Sequence, residues 1–223
     1  MAPANPNPLR TIPARLQQQL QFLLEIDRLK QVLRRTYLLH EARRENSAEH
    51  SWQVALMANL LAEHADFPVE VARVTRMLLI HDLVEIDVGD TYIYDAAGQA
   101  ERPGRERRAA ERLFGLLPPD QAAEFRALWE EFEACVTPDA RFAGALDRLM
   151  PMLLNYHKEG QSWREHKIHA GQVLQLNCKI GNASQALWEH AQQLVADATA
   201  KGWLRKGNPE EASHGPVATG NFP

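Results

Sequence analysis

Residues 78–90 (LLIHDLVEIDVGD) constrain the fold more than any other stretch, because an apolar run leads directly into an adjacent histidine and aspartate. Burying His81 and Asp82 beside leucine and isoleucine costs free energy unless something replaces the lost water. A divalent metal ion would do so, since neutral imidazole and carboxylate are both good ligands for borderline cations. Helical spacing also lets Glu85 share a face with either residue. An ordinary polar helix cap would explain the pair equally well, so the metal interpretation depends on further ligands.

Length and composition narrow the class of protein. The 223 residues suit one domain with short extensions, and the formal net charge of −4 offers no electrostatic case for binding nucleic acid or a membrane surface. An apolar run of about 18 residues, as a membrane-spanning helix requires, is missing. Cys135 and Cys178 have no CxxC spacing and are expected to be free thiols in a reducing compartment. Because the N-terminus also lacks a signal-peptide pattern, the expected location is the cytoplasm.

Apolar residues recur at helical spacing through most of the chain, and strand-like alternation is not found, which predicts an all-α fold. The predicted organisation is a flexible arm at residues 1–12, one helical domain at 13–204 and a flexible tail at 205–223. The predicted helices cover residues 14 to about 39, 47–65, 69–82, 105–116, 120–135, 138–153 and 187–204, with a short helix near 170–178.

Residues 91–103 are predicted to form a loop, because Gly98 and Pro103 disfavour regular structure. The length of this loop and its residues Tyr92 and Tyr94 would suit a flap over a site. A packed loop without a direct function fits the same residues equally well, so both interpretations stay open.

Further residues of metal-ligand type occur on two other predicted helices. His50 lies in the first turn of a helix that Asn46 and Glu49 begin with a capping-box pattern. Asp147 lies among apolar neighbours on a later helix, where a carboxylate needs a partner. With the His-Asp pair, three helices would supply two imidazoles and two carboxylates. That set leaves positions open for water and substrate on a six-coordinate ion such as Mn, Fe, Co or Ni.

This ordered set resembles the HD-domain metal-dependent phosphohydrolases, whose signature is H…HD…D on an all-helical bundle, and most of all their 5′-deoxynucleotidase branch. The matching segments are residues 43–51 (RRENSAEHS), 81–85 (HDLVE), 89–90 (GD) and Asp147 with its flanking helix. The resemblance covers roughly residues 20–200, and it is specific because the motifs occur together and in order.

The resemblance implies a homodimer and a role for eight residues. It makes His50, His81, Asp82 and Asp147 the ligands of one divalent transition metal ion (Mn, Co, Fe, Ni or Zn), Glu85 and Asp90 the catalytic carboxylates, and Arg35 and Arg43 the basic residues at the substrate phosphate. For the two arginines, solvated surface charges are an equally good interpretation, since such residues are common on surfaces.

Two features of this sequence modify what the resemblance implies. The deoxynucleotidases place tryptophan after the arginine that corresponds to Arg35, whereas this chain has Thr36, so weaker discrimination between ribose and deoxyribose is expected. Residues 83–146 contain no histidine. Two-metal HD proteins supply extra ligands in that region, so a single metal ion per chain is expected.

The expected function is release of phosphate from small phosphomonoesters, above all (deoxy)nucleoside 5′-monophosphates. Hydrolysis of an alarmone or a triphosphate is the rival within the family, although those substrates need more basic residues around the pocket. A non-catalytic, metal-bound nucleotide sensor is a rival of another class. It would have no use for proton-transfer groups such as Glu85 and Asp90. A nucleic-acid or membrane partner is not expected.

Overall fold

The structure, a computed structural model, describes residues 12–90, 93–94 and 96–207. The predicted N-terminal arm lies outside the described residues except for Ile12. The predicted C-terminal tail lies outside them from residue 208 onward, so neither prediction is tested.

Helices form most of the described chain, as the periodicity predicts. They are α1 (Ala14–Ile26), α2 (Ser47–Leu61), α3 (Val71–Ile80), α4 (Glu85–Val88), α5 (Ala96–Phe114), α6 (Pro119–Ala134), α7 (Pro138–His157), α8 (Gln161–Glu165), α9 (Ala170–Asn177) and α10 (Gln185–Ala200). Within the described ranges, none of these helices combines the length and the apolar character that crossing a bilayer requires.

The centre of the fold is formed by α2, α3 and α7, which pack against one another. Their contact faces carry apolar side chains that are almost completely buried, including Val54, Val74, Leu78, Phe142 and Leu146. Removing such side chains from water is the dominant favourable contribution to folding. The polar residues on these same helices are therefore held in a rigid, largely dry environment.

Local signals set the helix ends that matter for the site. The Asn46 side chain accepts a hydrogen bond from the backbone N–H of Glu49, and the Glu49 side chain accepts one from the backbone N–H of Asn46, which forms the predicted capping box of α2. Gly89, at φ 75°, ends α4 in a conformation that residues with a Cβ rarely adopt. The first ligand candidate thus lies in a capped first helical turn, and Asp90 follows a sharp break.

The predicted helix from residue 14 to about 39 is wrong beyond Ile26. After a 3-10 turn (Asp27–Gln31), the chain forms strand β1 (Leu33–Tyr37), which pairs antiparallel with β2 (Arg44–Asn46). The absence of strands was therefore also wrong, although the fold remains overwhelmingly helical. Pairing with residues about ten positions later overrides the local helical pattern, and a sequence window does not contain that contact.

The predicted loop at residues 91–103 is wrong over its second half, because α5 begins at Ala96 and contains Pro103. Proline removes one backbone donor from a helix, but alanines and long side chains around it favour helix. The later part of α5 is anchored by buried residues such as Leu113 and by Arg112, whose guanidinium binds Asp87. Tertiary anchoring thus sustains a helix through residues that usually interrupt one.

Candidate active site

The three central helices bring His50, His81 and Asp147 together. The Nε2 atom of His50 lies 2.9 Å from Oδ1 of Asp147, and Nε2 of His81 lies 3.5 Å from the same oxygen. The three residues can each offer a ligand atom within 4.8 Å of the others. Two imidazoles and a carboxylate arranged in this way could hold one divalent metal ion.

The hydrogen bonding of His81 fits a metal. Its Nδ1 lies 2.8 Å from the carbonyl oxygen of Leu78. Because a carbonyl can only accept, Nδ1 carries the proton, and Nε2 can offer its lone pair to the cluster. This Nε2 is buried without a hydrogen-bond partner. A metal ion bound there would satisfy it, and the donor set is one that divalent transition metals accept.

The charged groups of the cluster shift one another's pKa values. Burial on its own would lower the pKa of His81, but the Asp82 and Asp147 carboxylates outweigh it and raise that pKa to about 9. Burial would raise the pKa of Asp147, but the hydrogen bond with His50 and the closeness of the His81 imidazole hold that pKa well below its ordinary value. Without a metal, a second proton on the His81 imidazole offsets the carboxylate charge, and a metal ion would take the place of that proton.

Asp82 lies beside this group of three, and its carboxylate contacts both His81 and Arg34. Its Oδ1 is 3.2 Å from Nε2 of His81, and its Oδ2 accepts a hydrogen bond of 2.8 Å from Arg34. Asp82 is 5% exposed, so this charge depends on its partners rather than on water.

Two further carboxyl groups, those of Glu85 and Asp90, line the same pocket. The Oε2 atom of Glu85 accepts a hydrogen bond of 2.6 Å from the Ser47 hydroxyl. Burial and the nearby Asp82 charge raise the pKa of Glu85 well above its ordinary value. Burial also raises the pKa of Asp90 more than the Arg34 charge lowers it. Both groups therefore hold a proton more readily than exposed carboxyls, which is a common property of groups that transfer protons.

The cations of the site differ from the sequence prediction. Arg35 lines the pocket, as do Arg34 and Arg102, which the sequence interpretation had not selected. Arg43 is half exposed, lies outside the pocket lining, and pairs with Glu49. The structure therefore does not bring Arg43 to the pocket. The sequence did not indicate Arg34 because it lies within the stretch predicted as helix up to about residue 39, whereas alternation in β1 turns it inward.

The pocket runs along one face of α7 from the polar cluster. Asp147, Pro151 and Asn155, which follow one another at four-residue spacing, all line it, and eight residues of helix span about 12 Å. Besides Arg148, the lining beyond Asp147 includes aromatic, thioether and amide groups. These are Met152, Asn155, Trp163 and Asn177.

Comparisons with known proteins show the family of this chain. A family model described as HD domain matches residues 26–188. The chain is 31% identical over 170 residues to a 5′-deoxynucleotidase HDDC2 from Danio rerio, an alignment that covers 70% of this chain and 83% of the relative. It is 33% identical over 130 residues to the protein of the same name from Homo sapiens, covering 58% of this chain and 62% of that relative. The match thus spans slightly less than two thirds of the human relative.

A solved structure is similar over nearly its whole length. It is described as a predicted metal-dependent phosphohydrolase from Magnetospirillum magnetotacticum MS-1. The identity is 54% and the TM-score 0.81, with 86% of this chain and 99% of that chain covered. The helical architecture described above is therefore shared with a protein of closely related sequence.

Proposed function

This chain belongs to the HD-domain family, and from that premise we propose that it is a metal-dependent phosphohydrolase acting on (deoxy)nucleoside 5′-monophosphates. The observation that carries the proposal is the group of His50, His81 and Asp147, whose aspartate lines a pocket together with cations and further carboxyl groups. The names of the relatives from Danio rerio and Homo sapiens support this substrate class.

In the proposed site, His50, His81, Asp82 and Asp147 hold one divalent transition metal ion. When bound, such an ion polarises a phosphoryl oxygen and makes water a better nucleophile at neutral pH. Arg34 and Arg35 face the phosphate and balance the charge that spreads over its oxygens during the reaction. The surrounding carboxyl groups, Asp82 foremost, keep Arg34 charged, because their combined attraction outweighs the effect of burial on the arginine pKa.

Proton transfer falls to Glu85 and Asp90. The Ser47 hydroxyl orients the Glu85 carboxyl group at 2.6 Å, so one of its oxygens stays free to approach an attacking water. Asp90 lies on the same pocket wall. Because burial raises the pKa of each carboxyl group, each takes up a proton more readily than an exposed carboxyl group does. One of them accepts the proton of the attacking water, and the other orients that water or protonates the leaving oxygen.

Release of inorganic phosphate from a panel of nucleotides tests this function. The panel contains ribo- and deoxyribonucleoside mono-, di- and triphosphates, an alarmone and a cyclic dinucleotide, each with Mn²⁺ or Co²⁺. We expect turnover of monophosphates, with less preference for deoxyribose than in relatives that carry tryptophan in place of Thr36. Faster turnover of a triphosphate or an alarmone would favour the rival hydrolases. Binding without turnover of any compound would favour a nucleotide sensor.

Replacing Arg34 should weaken substrate binding more than replacing Arg43. A hydrogen bond to a charged group contributes about 1.5–3 kcal/mol, so we expect Arg34→Ala to lower kcat/KM by about 10–100-fold, mainly through KM. Arg43 pairs with Glu49 at the surface, and such pairs contribute about 0–1 kcal/mol to stability. Arg43→Ala is thus a matched control that should keep wild-type kinetics. The measurement is steady-state kinetics with metal content verified, and a larger effect of Arg43→Ala would contradict this assignment.

The far end of the pocket should contribute to binding the base. A span of about 12 Å along α7 suits a phosphate, a sugar and a base in line. The side-chain amide of Asn155 donates one N–H to the carbonyl oxygen of Pro151 at 2.9 Å. Its second N–H and its carbonyl oxygen remain for a ligand. Asn155→Leu should lower kcat/KM for nucleoside monophosphates by about 2–10-fold, the value of one neutral hydrogen bond. Deoxyribose 5-phosphate, which has no base, is the control substrate, and an equal loss with it would refute this placement.

A homodimer is also part of the proposal. Leu23, Trp52 and Leu79, from α1, α2 and α3, border one groove and are 57%, 64% and 47% exposed. Between Glu49 and Glu63 the sequence carries no charged residue. Contiguous apolar surface of this kind commonly marks an interface between proteins. Sedimentation velocity at micromolar concentration should give the mass of two chains, and a monomer would contradict the proposal.

A cytoplasmic location is proposed from cysteine usage. Cys135 and Cys178 are both free thiols, as expected of a protein that functions in a reducing compartment. Fluorescence microscopy of a tagged chain in its source cell tests the location, and recovery of the protein from an oxidising compartment would contradict it.

A further inference from the structure

Glu45 is a buried glutamate whose position none of the roles above explains. It lies in β2, and its side chain is completely inaccessible to solvent. Its Oε2 accepts a hydrogen bond of 2.8 Å from the Thr36 hydroxyl. The same oxygen lies 3.5 Å from Nε of Arg34 and 3.7 Å from Nδ1 of His50. One carboxylate therefore touches both the proposed metal site and the proposed phosphate site.

Several buried polar atoms around this carboxylate lack hydrogen-bond partners. They are Nδ1 of His50, Nε of Arg34 and Oε1 of Glu45. Leaving buried donors and acceptors unpaired is costly, so such groups need an explanation in a stable fold. Nε of Arg34 is a donor and the carboxylate is an acceptor. Nδ1 of His50 is also a donor once its Nε2 offers a lone pair to a metal ion, so the groups are complementary in the occupied site. The separation of 3.7 Å between Nδ1 of His50 and Oε2 of Glu45 is longer than a hydrogen bond, so the two groups are neighbours that a bound metal ion would have to draw together.

Both histidines of the cluster direct Nε2 toward Asp147 and Nδ1 away from it. Nδ1 of His81 donates to the Leu78 carbonyl, and Nε2 faces the cluster. His50 also directs Nε2 toward Asp147, and its Nδ1 lies 3.7 Å from the Glu45 carboxylate. A partner on the second nitrogen fixes which nitrogen is the ligand and how the ring is oriented, and a carboxylate partner also raises ligand basicity.

We propose that Glu45 is a positioning residue for the metal centre. When metal is bound, its carboxylate accepts a hydrogen bond from Nδ1–H of His50, which keeps Nε2 as the ligand, and it also anchors the Nε of Arg34. Thr36, whose hydroxyl binds the carboxylate, holds Glu45 in the orientation that serves both. This inference rests on the proposed metal site, and it links the metal and the phosphate-binding cation through a single side chain.

Metal affinity tests this role without relying on catalysis. Dissociation constants for Co²⁺ are measured by competition with a chelator in the wild-type protein and in Glu45→Gln and Glu45→Met. Loss of such a partner weakens metal binding by about 10–100-fold. We expect the larger loss with Glu45→Met, and a smaller one with Glu45→Gln, whose carbonyl oxygen can still accept. The visible spectrum of bound Co²⁺ should shift in both variants, because the imidazole is held differently.

Glu49→Gln is the matched control. It makes the same chemical change four residues away, next to His50, in a side chain that caps α2 and pairs with Arg43. We expect it to keep the wild-type Co²⁺ dissociation constant. Wild-type affinity in both Glu45 variants, or an equal loss in Glu49→Gln, would overturn the inference and leave the metal site in place. Failure of the wild-type protein to bind Co²⁺ would overturn both proposals. If Glu45→Met does not fold, Glu45→Gln decides alone.

Discussion

Replacing Glu85 with alanine should lower kcat by about 10²–10⁴-fold, as expected for loss of a general acid–base group, while metal content and KM stay close to wild type. Glu85 is 4% exposed, its carboxyl group is oriented by Ser47, and its pKa is raised well above the ordinary value by burial and by Asp82. It lies one helical turn beyond His81 and Asp82, which lets it approach the substrate end without displacing a ligand. Single-turnover kinetics with metal content verified is the measurement.

Asp87→Ala provides the control for that result. Asp87 lies on the same short helix, but its carboxylate pairs with Arg112, away from the pocket lining. Its loss should cost no more than about 1 kcal/mol of stability and leave kcat unchanged. A near wild-type rate in Glu85→Ala would remove Glu85 from the mechanism and assign proton transfer to Asp90.

Replacing Asp147 with alanine should abolish both metal binding and phosphate release. Asp147 supplies the oxygen that both imidazoles approach, so its loss removes a ligand and leaves two buried histidines facing each other. Elemental analysis should find the variant largely without metal after dialysis. Treating the wild-type protein with a chelator should likewise stop turnover, and Mn²⁺ or Co²⁺ should restore it. In Asp147→Ala, added metal should not restore turnover.

Metal removal should also lower the melting temperature of the wild-type protein. A ligand that binds only the native state, at 100 times its dissociation constant, stabilises that state by about 2.7 kcal/mol. The control for Asp147→Ala is Asp139→Ala, which changes an aspartate in the first turn of the same helix, α7. Asp139 accepts a hydrogen bond from the backbone N–H of Glu70 and lies away from the cluster, so this variant should lose some stability but keep its metal. An Asp147→Ala protein with full metal content would contradict the ligand set.

The sequence by itself determined the features that depend on near neighbours or on residue chemistry. The capping box at Asn46 is a local hydrogen-bonding pattern, and the structure forms it at the predicted place. His81 and Asp147 stood out because burying such groups in apolar helices is costly without a partner, and the structure brings both to one cluster. The all-α class followed from apolar periodicity, which reports the buried face of each helix.

Only the tertiary structure decided which other polar groups meet at the site. Arg34 and Thr36 face inward because β1 pairs with β2, and that pairing replaces the helix that local periodicity favours. Glu45 reaches His50 for the same reason, whereas Arg43 turns outward to Glu49. Long-range strand pairing outweighs a small local preference because a whole set of hydrogen bonds and buried side chains forms together. A short window of sequence contains only one partner of each such contact. The free energy of that contact therefore does not enter a prediction made from the window.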